Sequence, residues 1–217
     1  MSKPPRVRLV AFDMDGTLVD TVSSWGFVHH HFGENNDKAL QAFMHDEISD
    51  EEFVRRDLAL WHRHIPRITV GDVGKILADV PIMPGAGELM SEIRSRGIKT
   101  VIVSGGLDIL AQRIRKELRM DLALANTFET DPEGVILGGK VLVPVKQKEM
   151  VLRGLQAQLH ISPEETASVG NSEIDVGLFR ASRVKVAFDP QDEIVVASAT
   201  SVVSEKDLRK VLPALRD

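Results

Sequence analysis

The chain has 217 residues, 27 basic against 32 acidic side chains, a formal net charge of -5 and no cysteine. That balance lacks the basic excess of a nucleic-acid footprint, and the missing cysteines exclude disulfides, thiolate catalysis and thiolate-ligated metals. The length fits one large domain or a main domain with an insertion, the opening segment is too short for a signal-peptide core, and no apolar run approaches the ~18 residues of a membrane span; a soluble, cytoplasmic protein is expected.

The first element is RVRLVAF at 6–12, a short apolar, β-branched run that ends on Asp13 and is read as the central strand. Residues 21–81 break the strand rhythm: they are largely helical by periodicity, with turn signals at Gly33 to Asn36 and at Ile65-Pro66, and are read as an inserted helical cap. A helix at 85–97 leads to the strand KTVIVSG at 99–105, and DLALAN at 121–126 forms another. FETDPEGVILGGKVLVPV, 128–145, carries turn residues between β-prone runs and predicts a hairpin or short β-flap. A helix over 147–161 and a capped turn at 162–165 precede the strands TASVG at 166–170 and VKVAF at 184–188. Such alternation predicts an α/β fold, a doubly wound parallel sheet with helices on both faces. Residues 1–20 and 82–217 are assigned to that core and 21–81 to the cap.

In FDMDGTLVD, residues 12–20, Asp13 and Asp15 stand at the end of the central strand, where an open parallel sheet gathers its ligands. Residues at i and i+2 of an extended segment face one site, and two adjacent carboxylates repel unless a cation or a shared proton compensates. That points to a hard, oxygen-liganded metal such as Mg2+, completed by substrate phosphate.

DMDGTLVD resembles the first motif of the haloacid dehalogenase superfamily, whose phosphatases carry Asp-x-Asp-Gly-Thr. TVIVSGG, 100–106, is similar to the second, a strand ending in Ser or Thr, which implies phosphoryl binding by Ser104 and the Gly105 amide. The third motif needs a lysine. Lys140, Lys146 and Lys148 are candidates; Lys148, which opens the helix before TASVG, is chosen and Lys146 held in reserve. The fourth motif reads GNSEID, where Asp175 matches but Asn171 stands in place of the usual first acid. An amide oxygen can still coordinate Mg2+ but brings no charge. The terminal SEKDLRKVL, 204–212, is similar to the last helix of phosphoserine phosphatases, and the cap lies where that subfamily carries one.

The resemblance implies a mechanism. Asp13 attacks phosphorus to form an aspartyl-phosphate, and Asp15 serves as acid and then base. Mg2+ sits on the Asp13 carboxylate, the Asp15 backbone carbonyl and Asn171 or Asp175, while Ser104 and Lys148 stabilise the transferring group and Gly16 lets backbone amides approach it. The partner is a small phosphorylated metabolite whose leaving group the cap selects. Phosphoserine phosphatases hold serine with a glutamate after the first motif and a cap arginine; here Val22 occupies the first position, and FVRRDL offers Arg56 (with Arg55) beside Asp57 at the nearest equivalent of the second. Phosphoserine and other small phosphomonoesters both stay open. A non-catalytic phosphate-binding module and a phosphomutase are the alternative readings. His29 to His31 and His62 to His64 are read as surface or packed residues rather than metal ligands, and Trp25, Val28 and Phe32 as the inner face of one cap helix.

Overall fold

The computed structural model describes residues 6–216, so residues 1–5 and 217 of the expected core lie outside the described residues. Strand β1, Leu9–Phe12, is buried along its whole length and lies between β2, Lys99–Leu107, and β5, Thr166–Gly170. A strand covered on both faces reads as unbroken apolar sequence. Leu9 and Ala11 enter one hydrophobic cluster, Val10 and Phe12 the other. This period of two builds a core on each side of the sheet.

The full order is β4-β3-β2-β1-β5-β6-β7, with β3 at Leu122–Thr130, β4 at Ile136–Lys140, β6 at Val184–Phe188 and β7 at Ser201–Val203. All neighbours pair in parallel except β3 and β4, the expected hairpin. β3 runs four residues beyond the expected end at 126 because its far half pairs with β4. β7, with three residues, gave no sequence signal. The chain fills one side of β1 before crossing to the other, so the order reverses beside β1, where crevices form.

Four helices lie between β1 and the first crossover helix: α1, Ser24–His31; α2, Asp37–Met44; α3, Asp50–His64; and α4, Val70–Leu77. On α3 the buried residues are Val54, Asp57, Leu58 and Trp61, one face at spacings of three and four. Ser49 caps its start by accepting the Glu52 amide hydrogen, with acids in the first turn and His62, Arg63 and His64 in the last, as the helix dipole favours. Trp25 and Val28 of α1 are buried, and the Trp25 ring stacks on Trp61 at 5.4 Å while both meet Phe128 of β3 edge-on. The insertion thus leans on the hairpin, which adds the bond from the Ile136 amide to the Ile68 carbonyl.

Helices α5, Ala86–Ser95, and α6, Asp108–Leu118, cover one face; α7, Lys148–Leu159, and α8, Val176–Arg180, cover the other. The short α9, Glu193–Ser198, joins β6 to β7. The expected terminal helix over 204–212 is instead a 3-10 helix, Leu208–Leu215. Pro213 within it has no amide hydrogen and disfavours α geometry at the preceding residue.

Candidate active site

Asp13 continues β1 by one step, its amide hydrogen donated to Val169 of β5, which fixes its side chain at the carboxyl ends of two central strands. The Lys148 ammonium donates to Asp13 Oδ1 and to Asp175 Oδ1, both at 2.7 Å, and all three residues are buried. Lys148 opens α7, so its place depends on the loop after β4. The reserve candidate, Lys146, is exposed and turned outward: it binds the Phe43 and Met44 carbonyls at the end of α2 and the Asp46 carboxylate. Lys140 ends β4 and does not line the cavity described below.

Asp15 is held separately. Its Oδ2 accepts hydrogen bonds from both the amide and the hydroxyl of Ser24, each at 2.8 Å, while its Oδ1 is buried with no partner among the described residues. Burial is the main cause that raises the Asp15 pKa, against the lowering pull of the Ser24 bonds and Lys148. Asp13 is lifted by burial first, and by Asp175, to about 7, although Lys148 pulls it down. Burial opposes the Lys148 charge, but Asp13 and Asp175 outweigh it and hold the ammonium above its ordinary range. The two shifts agree physically: one lysine stays charged and still cannot offset Asp13, Asp15 and Asp175 together.

Ser104 sits where the β2–β3 register shifts between Val103 and Leu107, an irregularity that re-aims side chains. Its hydroxyl oxygen accepts the Gly106 amide hydrogen at 3.1 Å. At Gly106 a Cβ would overlap Ser24 and Asp15, so glycine is what lets β2 pass behind that carboxylate. Gly16 has φ of +73°, and a Cβ there would run into the Asn171 side chain, so the loop and Asn171 close on each other.

A cavity of about 870 Å³ lies between the insertion and the strand ends, and Asp13, Asp15, Ser104, Gly105, Lys148 and Asn171 line it together. Three expectations change in geometry. Arg56 is absent from the lining: it reaches back to Glu52 at 2.7 Å, and Asp57, one residue on, faces inward instead. Asp175 spends Oδ1 on Lys148 and Oδ2 on the amides of Asn171 and Ser172, which makes it an anchor for the lysine and the loop rather than a free ligand. Gly16 borders the Asn171 amide and is not among the lining residues.

Sequence reasoning missed Ser24 and Asn126. Asn126 joins the β2 loop to the segment after β4, donating to the Gly105 carbonyl and accepting from the Leu142 and Val143 amides. Its only signal was a polar residue ending an apolar strand. Ser24 reads locally as a helix start, yet its hydroxyl both donates to Asp15 and accepts from the Leu107 amide at 3.0 Å. Ser24→Ala should lower kcat by on the order of tenfold with KM nearly unchanged, since the carboxyl loses its orientation rather than substrate contact. Ser24→Thr should restore it, and a change confined to KM would refute this positioning role.

This core, with its buried acids and lysine at the carboxyl ends of parallel strands, defines a doubly wound α/β enzyme. The model of the haloacid dehalogenase-like hydrolases matches residues 10–180, and the chain belongs to that family. It is 30% identical over 213 residues to the phosphoserine phosphatase of Wolinella succinogenes, covering 96% of this chain and 100% of that one. To the phosphoserine phosphatase of Methanocaldococcus jannaschii it is 25% identical over 217 residues, covering 96% and 98%. Among solved structures, a phospho-aspartyl intermediate analogue of phosphoserine phosphatase superposes with a TM-score of 0.81 at 24% identity, covering 98% of this chain and all of that one; this likeness speaks for the fold.

Proposed function

We propose that the chain hydrolyses a small phosphorylated metabolite through an aspartyl-phosphate on Asp13, with Mg2+ as cofactor and residues 21–81 acting as a cap over a core of 1–20 and 82–217. The observation that carries this reading is the buried Asp13–Lys148–Asp175 bridge, with a second carboxylate, Asp15, kept apart from it by Ser24.

The donors suit the cation. Asp13 and Asp175 are buried against a single ammonium, Lys148, with Asp15 beside them, and the available ligand atoms are oxygens. The Asp13 carboxylate, the Asp15 carbonyl and Asn171 would hold Mg2+, which when bound supplies positive charge against the phosphoryl oxygens. Among the described residues no three His, Cys, Asp or Glu side chains form a metal site on their own, consistent with a set that uses an amide and a backbone oxygen.

The residues divide the work. An Asp13 oxygen attacks phosphorus and the bond to the alcohol oxygen breaks; Asp15 gives that oxygen its proton. Asp15 Oδ1 is the atom free to carry it, because Oδ2 is saturated by Ser24, and burial raises the pKa of this carboxyl. Water then attacks the phosphoryl group while Asp15 recovers a proton, and the Asp13–phosphorus bond breaks to release phosphate. Lys148 and Ser104 line the cavity where charge develops.

Purified protein should turn over members of a panel of phosphomonoesters, phosphoserine and p-nitrophenyl phosphate included, in Mg2+ and not in chelator. Asn171→Asp adds a charged ligand and should lower the Mg2+ concentration for half-maximal turnover about tenfold. Turnover by neither protein would reject the hydrolase and favour a phosphate-binding module.

A further inference from the structure

Given the phosphatase reading, the cavity also specifies its leaving group. Among the described residues no arginine lines it, and its one lysine is Lys148, already shared by two carboxylates. Two histidines reach it: His30 is exposed at the rim, and His29 is buried on the wall. The Trp61 indole N–H lies 2.8 Å from His29 Nδ1. An indole N–H can only donate, so Nδ1 must be bare and the proton sits on Nε2, donated to Asp57 Oδ1 at 2.8 Å. His29 is therefore locked as a neutral ring. Asn36 donates to the same Asp57 oxygen at 2.6 Å. Asp57 is 1% exposed and faces the cavity as an anion served only by neutral donors.

The cap side of the wall is largely apolar, although Glu34, Asp37 and Asp50 add further acids to it and no further cation. Phe27, Leu40, Phe43, Phe53, Val54 and Val22 line it, and Val22 is 89% exposed. A substrate carboxylate would lose its hydration here and meet Asp57 instead of a cation.

We infer that this cavity selects phosphomonoesters of apolar alcohols that carry no carboxylate, with Asp57 as the residue that rejects anions. Phosphoserine is then a poor substrate despite the overall likeness of the chain to enzymes named for it.

A series of straight-chain alkyl phosphates from methyl to hexyl, with phosphoserine and phosphoglycolate alongside, tests this in Mg2+. The specificity constant kcat/KM should rise about 3- to 4-fold per added methylene group, and both carboxylate-bearing esters should fall at least about tenfold below ethyl phosphate. Asp57→Asn keeps the shape and the acceptor for His29 but removes the charge; it should raise the phosphoglycolate-to-ethyl-phosphate ratio of kcat/KM about tenfold. A flat series, or phosphoserine as the preferred ester, overturns the inference while the phosphatase stands. An unchanged ratio in Asp57→Asn overturns the role given to Asp57. If no ester is turned over, the phosphatase reading fails, and calorimetric affinities of alkylphosphonates decide the rest: tighter binding with chain length upholds the apolar selection, and no dependence refutes it.

Discussion

Asp13→Asn should lose turnover by on the order of 10⁵-fold, the scale of removing a covalent nucleophile, and acid-quenched protein should no longer carry phosphate. The variant should nevertheless fold and, without metal, melt at or above the wild-type temperature. Asp13 and Asp175 are both buried against one lysine, and asparagine keeps the shape of Asp13 while removing a charge. The pH dependence has a definite sign. With its pKa raised from 3.8 to about 7, folded Asp13 holds a proton that the unfolded chain has released. Metal-free wild type should therefore lose stability as the pH rises across that window, and Asp13→Asn should not show this loss. Measurable phosphoenzyme in the variant, or turnover within tenfold of wild type, would assign the nucleophile elsewhere.

Lys148→Met should do the opposite to stability. It leaves Asp13 and Asp175 buried without their shared ammonium, and breaking a buried ion pair from one side costs about 3–5 kcal/mol. For a chain of this size that is roughly 6–20 °C in Tm, measured by calorimetry in chelator. Turnover should fall at least about 10³-fold, because a donor to the developing charge is lost. Lys146→Met should leave the chemical step near wild type, since that ammonium binds the end of α2 rather than the cavity. If Lys146→Met were the more damaging change, the bridging role assigned to Lys148 would be wrong.

Much of this was legible because buried parallel strands announce themselves. RVRLVAF, TASVG and VKVAF are short apolar runs with polar punctuation, and the structure has strands within each. Asp13 and Asp15 stood out by their place after the central strand, and Ser104, Lys148 and Asn171 were grouped with them by the resemblance of their motifs to the family's. Arg56 could not be placed: FVRRDL shows charged residues on a helix, but a one-residue difference in register decides that Asp57 turns inward and Arg56 pairs with Glu52. Asp175 was read by its match to the family's fourth motif, and nothing local reveals that both its oxygens are occupied. Ser24 was hidden for the same reason, because its partner Leu107 is 83 residues away.

The bridge from Asp13 to Lys148 spans 135 residues of chain. At roughly 5–20 residues per second of synthesis, the ribosome makes the nucleophile about 7–27 s before the lysine that will hold it. Throughout that interval Asp13 lacks the Lys148 ammonium it faces in the folded chain. The nascent chain therefore passes most of its synthesis without hydrolytic competence, and activity should arrive only when α7, β5 and the loop bearing Asn171 and Asp175 have all docked, so that the first product released can serve as a clock for the assembled site.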